Sequence, residues 1–151
     1  MTNKKNDIKL YNVFFPFWWL MLMPQLWLIV LPGNFIIDSL VLLVSMLILK
    51  IGNKLQWYKK HILKIYAFGM LSDIVGSAYM LLMMTVFHVG DYGDELYLTV
   101  PALIISAVLI FVFNYYITFR KEDKKLRLKL SLAFAIVTAP YTFLVPSSWL
   151  Y

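Results

Sequence analysis

The sequence predicts an all-α integral membrane protein, a single domain over residues 1–151 built as a bundle of five transmembrane helices. Hydrophobic residues make up 62% of the chain and charged residues 15%, with a mean hydropathy of +0.75. Soluble domains carry charge on roughly a quarter of their residues. The apolar runs approach the ~20 residues that a helix needs to cross a bilayer. Length, composition and charge placement therefore agree on the membrane class.

The basic residues are confined to three clusters separated by long apolar runs. The clusters are Lys4, Lys5 and Lys9, then Lys50, Lys54, Lys59, Lys60 and Lys64, then Arg120, Lys121, Lys124, Lys125, Arg127 and Lys129. Basic residues next to spans are retained on the cytoplasmic side. An even number of crossings must then separate successive clusters. We expect a multi-pass protein of the cell membrane with its N-terminus in the cytoplasm and its C-terminus outside.

The first two spans are predicted over residues 11–31 and 35–49. Pro32, Gly33 and Asn34 lie between them and indicate a compact turn, with Asn34 as the cap of the second helix. These spans should form a tight antiparallel hairpin. The residues from Gly52 to Lys60 then form a basic cytoplasmic connection.

The remaining spans are predicted over residues 62–89, 98–119 and 130–145. The third is long enough to tilt or to project beyond the hydrocarbon. The fifth has only 16 residues and contains Pro140, so it is either a short span or a re-entrant segment. We expect a span, because Trp149 and Tyr151 supply an aromatic anchor at the far interface.

Several classes of function are excluded or disfavoured by the sequence. The chain has no cysteine, which rules out disulfides and thiolate metal sites. It contains no zinc-protease, serine-hydrolase or phosphate-loop motif, so we expect no enzyme, no cofactor and no dedicated metal centre. The net charge of +6 lies next to span ends and indicates contact with anionic lipid headgroups rather than with nucleic acid.

Two acidic residues, Asp38 and Asp73, lie inside predicted spans. An aspartate at the centre of a bilayer costs about 2.5 to 3.5 kcal/mol, so such residues are functional candidates. The second span descends while the third rises, and counting ~1.5 Å per residue places Asp73 close to the midplane of the bilayer and Asp38 roughly a turn outward of it. We expect the two side chains to approach each other. Asp38 could instead be an interfacial group near a helix N-terminus.

Polar side chains repeat along one face of each inner helix and extend this candidate site. Asn34 shares a face with Asp38, and Ser77 lies one turn beyond Asp73. Asn114 in the fourth span completes the predicted binding set, although a buried interhelical hydrogen bond would also explain it. Small residues such as Ser72 and Gly76 are more typical of helix packing. His88, Asp91, Asp94 and Glu95 form a separate group of metal-compatible ligands at the outer mouth, but their spacing matches no defined coordination loop, so a solvated acidic loop is the better explanation.

Two hypotheses about function follow from these patterns. In the first, the protein is an ion- or proton-linked transporter or channel-like protein that uses the intramembrane carboxylates. Its small size then implies a homo-oligomer or a partner subunit. In the second, it is a non-catalytic membrane subunit, regulator or immunity-type protein that docks another membrane protein. The aspartates would then act as interhelical hydrogen-bonding groups.

Overall fold

The computed structural model describes residues 27–88 and 96–144, and all regular structure in these ranges is helical. Four α-helices occur, α1 (Trp27–Ile48), α2 (Lys54–Thr85), α3 (Leu96–Phe113) and α4 (Lys124–Val137). A π-helical turn, Asn114–Thr118, extends α3, and a 3-10 turn, Tyr141–Leu144, follows α4. Three helices, Trp27–Ile48, Lys54–Thr85 and Leu96–Thr118, are long and apolar enough to cross a membrane. The all-helical membrane class is thereby supported. The five-span count and the positions of the termini stay predictions.

Helix α1 continues through Pro32, Gly33 and Asn34, so the turn predicted there is wrong. Most of the predicted first span, residues 11–26, lies outside the described residues. The physical reason for the continuous helix is the apolar sequence on both sides. A turn at this depth would leave several backbone N–H and C=O groups unpaired in lipid, whereas proline removes only one helical hydrogen bond. Asn34 is therefore an interior helix position, one turn before Asp38.

Helix α2 begins at Lys54, so most of the predicted connection from Gly52 to Lys60 is helical. The actual connection between α1 and α2 is short, and Lys50 and Asn53 turn the chain through the left-handed region with φ of 51° and 46°. At ~1.5 Å per residue, the 32 residues of α2 extend ~48 Å. That exceeds the ~30 Å hydrocarbon thickness. The helix is therefore longer than a hydrocarbon layer is thick, and its first two turns contain the exposed Lys54, Lys59 and Lys60.

The connections α1–α2 and α3–α4 meet at one end of the bundle, which we call the basic end. Lys60 Nζ lies 3.2 Å from Glu122 Oε1, and His61 Nε2 lies 3.4 Å from the same oxygen. The Trp57 ring stacks on Phe119 at 5.9 Å between centroids. Two of the three basic clusters, residues 50–64 and 120–129, are thus brought to the same end, as the even number of crossings requires.

Helices α2 and α3 are held together by a close contact at Gly76. A Cβ atom at this position would lie 2.2 Å from Ser106 Oγ and 2.9 Å from Phe143 Cε2. The Ser106 hydroxyl donates a hydrogen bond of 2.9 Å to the backbone oxygen of Ser72. Ser72 and Gly76 therefore act as packing residues, the role that small residues commonly have in membrane bundles.

Helix α4 is too short to cross a bilayer alone, and the predicted fifth span over residues 130–145 is not formed as one helix. The helix begins earlier than predicted, at Lys124, and its 14 residues extend ~21 Å. It ends at Val137 because Pro140 forces Ala139 away from helical conformation. The 3-10 turn follows. Whether the chain then completes a crossing depends on residues 145–151, which lie outside the described residues.

Replacing Gly76 with alanine should destabilise the bundle by about 1–3 kcal/mol, because the added methyl group overpacks the α2–α3 contact. Gly33→Ala is the matched control, since a Cβ atom there meets nothing within 4 Å. It should be neutral or slightly stabilising, as expected for glycine-to-alanine changes inside a helix. Thermal unfolding of the two purified variants in detergent measures the difference. Equal melting temperatures would contradict the packing role of Gly76.

Candidate functional site

A cavity of about 200 Å³ lies among α1, α2 and the end of α4. Asn34 and Asp38 line it from α1, Gly69 and Asp73 line it from α2, and residues Val137 to Thr142 line it from the end of α4. The volume is sufficient for several water molecules at ~30 Å³ each. The structure thus brings Asp38 and Asp73 to one cavity, as counting along the helices predicts.

Two apolar clusters enclose the cavity along the bundle axis. On the side of the basic end lie nine buried residues, namely Leu42, Met46, Ile62, Ile65, Ile110, Phe119, Leu130, Phe134 and Ala135. On the opposite side lie Met80, Ala102 and Phe143. Along α2 the order is Ile65, then Gly69 and Asp73, then Met80. The carboxylates therefore occupy a polar layer between two hydrophobic layers.

Asp73 is buried and poorly satisfied by its described neighbours. Its side chain is 4% exposed. The Asn34 amide Nδ2 lies 3.5 Å from Asp73 Oδ2 and 3.2 Å from Met70 Sδ, so the amide is shared between two weak contacts. The second oxygen, Oδ1, has no hydrogen-bond partner among the described residues. A buried carboxylate in this state is stabilised by a proton, by water in the cavity or by a bound cation.

Asp38 also lines this cavity and lies next to Gly69. Its side chain is also 4% exposed, and its Oδ2 atom lies 3.5 Å from the position that a Cβ atom of Gly69 would occupy. That spacing is an ordinary van der Waals contact, so the missing side chain at Gly69 leaves room beside the carboxylate. Within the described ranges, the ion pairs formed involve Glu122, and neither cavity aspartate has a basic partner within 4.0 Å.

The third wall of the cavity is the broken end of α4. The backbone N–H and the hydroxyl of Thr138 both donate to Phe134 O at 2.9 Å, closing the last turn. The Tyr141 hydroxyl donates to Ile136 O, and the 3-10 turn begins there. A helix C-terminus has a partial negative charge from its unpaired carbonyl groups. This wall therefore adds to the negative potential of the two aspartates.

The chemistry of the cavity favours a proton or a hard cation. Its described lining contains two carboxylates, an amide, two threonine hydroxyls and the helix C-terminus, with no Lys, Arg or His. Oxygen ligands of this kind suit alkali and alkaline-earth ions. No group of three or more His, Cys, Asp or Glu residues suited to a metal ion occurs in the described ranges. Backbone and hydroxyl oxygens would therefore have to supply part of any coordination shell.

The other predicted site residues lie away from this cavity. Ser77 is fully buried further along α2, and its hydroxyl has no described partner. Asn114 is fully buried in the π-helical turn, and both side-chain polar atoms have no described partner, so the interhelical hydrogen bond expected for it is not formed. His88 is exposed after α2 with φ of 50°. Asp91, Asp94 and Glu95 lie outside the described residues.

Sequence reasoning did not assign the residues of the α4 end to the site. The predicted fifth span includes Thr138 and Thr142 without a role in the site, whereas the structure places both in the cavity wall. The available signal was Pro140, because a proline in a short apolar segment ends the helix and leaves polar backbone groups that need partners. The sequence also did not indicate a role for Gly69, because this residue contributes space beside Asp38 and has no functional group of its own.

No family model matches this chain, and the searches of curated proteins and of solved structures found no similar protein. The function is therefore inferred from the chemistry of the site.

A cysteine at Thr138 should react at least about tenfold faster with a charged thiol reagent than a cysteine at Ile136. Thr138 lines the polar cavity, whereas Ile136 is 56% exposed on the apolar surface of α4, where lipid or detergent excludes charged reagents. The natural chain contains no cysteine, so neither variant has a background reaction. Mass spectrometry of the labelled protein in lipid vesicles measures the rates. Equal rates would contradict a water-accessible cavity.

Proposed function

We propose that this protein binds a proton or a small hard cation between Asp38 and Asp73, as part of ion- or proton-linked movement across a membrane. The observation that supports this most directly is the described wall of the cavity, which contains two buried carboxylates and a helix C-terminus but no basic side chain. Three negative or partly negative groups that line one cavity repel one another when both carboxylates are ionised. A positively charged ligand removes that repulsion.

The magnitude of this repulsion favours ligand binding over a purely structural role. At an effective dielectric constant of about 20, two ionised carboxylates in one cavity would repel each other by on the order of a few kcal/mol. Each aspartate adds about 2.5 to 3.5 kcal/mol for its position within a membrane. A role in packing alone would be served at lower cost by asparagine. A cation or proton held between the carboxylates offsets much of this cost.

The residues of the cavity have distinct proposed roles. Asp73 is the principal ligand, because its Oδ1 atom has no described partner. Asp38 is the second carboxylate, and Asn34 orients Asp73 through its amide. The hydroxyl groups of Thr138 and Thr142 and the carbonyl groups at the end of α4 complete an oxygen environment, as broken helices do in many membrane transporters.

The proposal includes the membrane topology predicted from the basic clusters. Five spans would place the basic end in the cytoplasm and the acidic segment around Asp91 and Asp94 outside, where it would attract cations. One chain of this size encloses a small cavity, so a second copy or a different membrane protein would form the rest of a transport path. The topology and the additional subunit are further parts of the proposed transport function, and the cation site is its basis.

The decisive experiment measures thermal stability of the purified protein across pH and across a panel of monovalent and divalent cations. The wild-type protein should be stabilised by a preferred cation or by low pH, because a ligand that binds only the folded state raises its stability. A hundredfold excess over Kd contributes about 2.7 kcal/mol. Asp73→Asn should abolish this dependence, since the amide can neither bind a proton in this range nor neutralise a cation.

The matched control is Glu122→Gln, which removes an acidic group at the basic end and should leave the cation dependence unchanged. Asp38→Asn should weaken the dependence without abolishing it, because Asp73 remains. If neither pH nor any cation shifts the wild-type stability, and Asp73→Asn is as stable as the wild type, the binding role is wrong. That result would instead favour the hypothesis of a non-catalytic subunit that docks another membrane protein.

A further inference from the structure

Arg127 differs from every other basic residue in the described part of the chain. Eleven Lys and Arg residues lie within residues 27–88 and 96–144, and ten of them are exposed, whereas Arg127 is half-buried. Its Nε atom is buried and has no described hydrogen-bond partner. No described carboxylate lies within 4.0 Å of its guanidinium, because the ion pairs formed in these ranges involve Glu122 with Lys60 and with His61.

The guanidinium group of Arg127 is held in place by an aromatic ring. Its Cζ atom lies 3.9 Å from the centroid of the Tyr115 ring, in the geometry of a cation–π contact. Tyr115 is itself stacked on Phe111 at 5.5 Å and contacts Tyr116 edge-on at 5.0 Å. The guanidinium plane is therefore fixed before any ligand arrives. A fixed planar fork binds the two oxygens of a phosphate group with little further loss of entropy.

Nearby charges favour an anion at this position. Lys124 precedes Arg127 by one helical turn, and residues at this spacing lie side by side on a helix. Asp123 is the nearest acid along the chain, but its side chain makes no capping hydrogen bond and does not pair with Arg127. Glu122 is already engaged by Lys60 and His61. The surface around Arg127 thus has an uncompensated positive charge.

We propose that Arg127, Tyr115 and Lys124 form a binding site for the phosphodiester group of an anionic membrane lipid. The location favours a lipid over a soluble anion. Tyr115 and Tyr116 lie at the end of the apolar helix Leu96–Thr118, where aromatic residues mark the level of lipid headgroups. Ile117 and Leu128, which are 46% and 49% exposed, lie within two residues of Tyr115 and Arg127 in the sequence and give this end of the bundle an apolar surface for acyl chains. This site is separate from the carboxylate cavity.

The test compares phosphatidylglycerol with phosphatidylcholine, added at equal mole fraction to the purified full-length protein in detergent. Phosphatidylglycerol should raise the melting temperature by at least about 5 °C more than phosphatidylcholine does, as a ligand well above its Kd would. Inorganic phosphate at the same concentration should give less than a fifth of that shift. An equal shift with inorganic phosphate would overturn the lipid assignment.

Two substitutions that preserve the charge distinguish specific binding at Arg127 and Tyr115 from general electrostatic attraction to a basic surface. Arg127→Lys keeps the charge but loses the planar fork, and Tyr115→Leu keeps all charges but removes the ring. Each should reduce the phosphatidylglycerol shift by more than half. Lys125→Ala removes a charge on the opposite side of α4 and should keep most of the shift, as should Tyr115→Phe, which retains the ring.

If Arg127→Lys and Tyr115→Leu behave like the wild type while Lys125→Ala loses the shift, the binding is non-specific electrostatic attraction and the proposed site is wrong. If the Arg127→Lys variant fails to fold, the comparison of Tyr115→Leu with Tyr115→Phe is decisive, because only Tyr115→Leu removes the aromatic ring. Because none of these variants alters Asp38 or Asp73, cation-dependent stability should remain in all of them. Failure of the lipid site is therefore distinguishable from failure of the cation site.

Discussion

The absence of a side chain at Gly76 determines how the described helices are arranged. Ser106 of α3 and Phe143 of the 3-10 turn both occupy space that a larger residue would fill. Since Gly76 lies three residues, just under one turn, beyond Asp73, this contact sets the rotation of α2 about its axis. The rotation directs Asp73 toward α1 and the broken end of α4. The packing contact at Gly76 and the carboxylate of Asp73 therefore lie on the same helix, less than one turn apart.

The cavity combines features that a bilayer normally disfavours. Asp38 and Asp73 are nine-tenths buried, α4 ends close to them, and the neighbouring layers are strongly hydrophobic. Hydrophobic layers on both sides lower the local dielectric constant, which strengthens any interaction between the carboxylates and a positive ligand. The same layers restrict the entry of water along the bundle axis. Access to the site therefore depends on the lateral wall that residues Val137 to Thr142 form.

Sequence reasoning recovered the helical membrane class, the meeting of two basic clusters at one end and the shared location of Asp38 and Asp73. These features follow from composition and helical periodicity, which are local properties. It failed at Pro32, Gly33 and Asn34, because turn propensity measured in water is overridden by the need to pair backbone groups in lipid. It also missed Gly69 and Thr138, whose contributions depend on which helices are neighbours. Nothing in the sequence indicates that the side-chain amide of Asn114 lacks a hydrogen-bond partner among the described residues.

The contact between Lys60 and Glu122 joins residues that are 62 positions apart. Because synthesis runs from the N-terminus, α1 and α2 leave the ribosome before residues Val137 to Thr142 do. These two helices can therefore insert while the cavity still lacks the wall that those residues form. Only when α4 emerges can Glu122 engage Lys60 and bring that wall against α1 and α2. The cavity is consequently completed only after residues Val137 to Thr142 have emerged, and a nascent chain arrested before residue 137 would expose both aspartates without that wall.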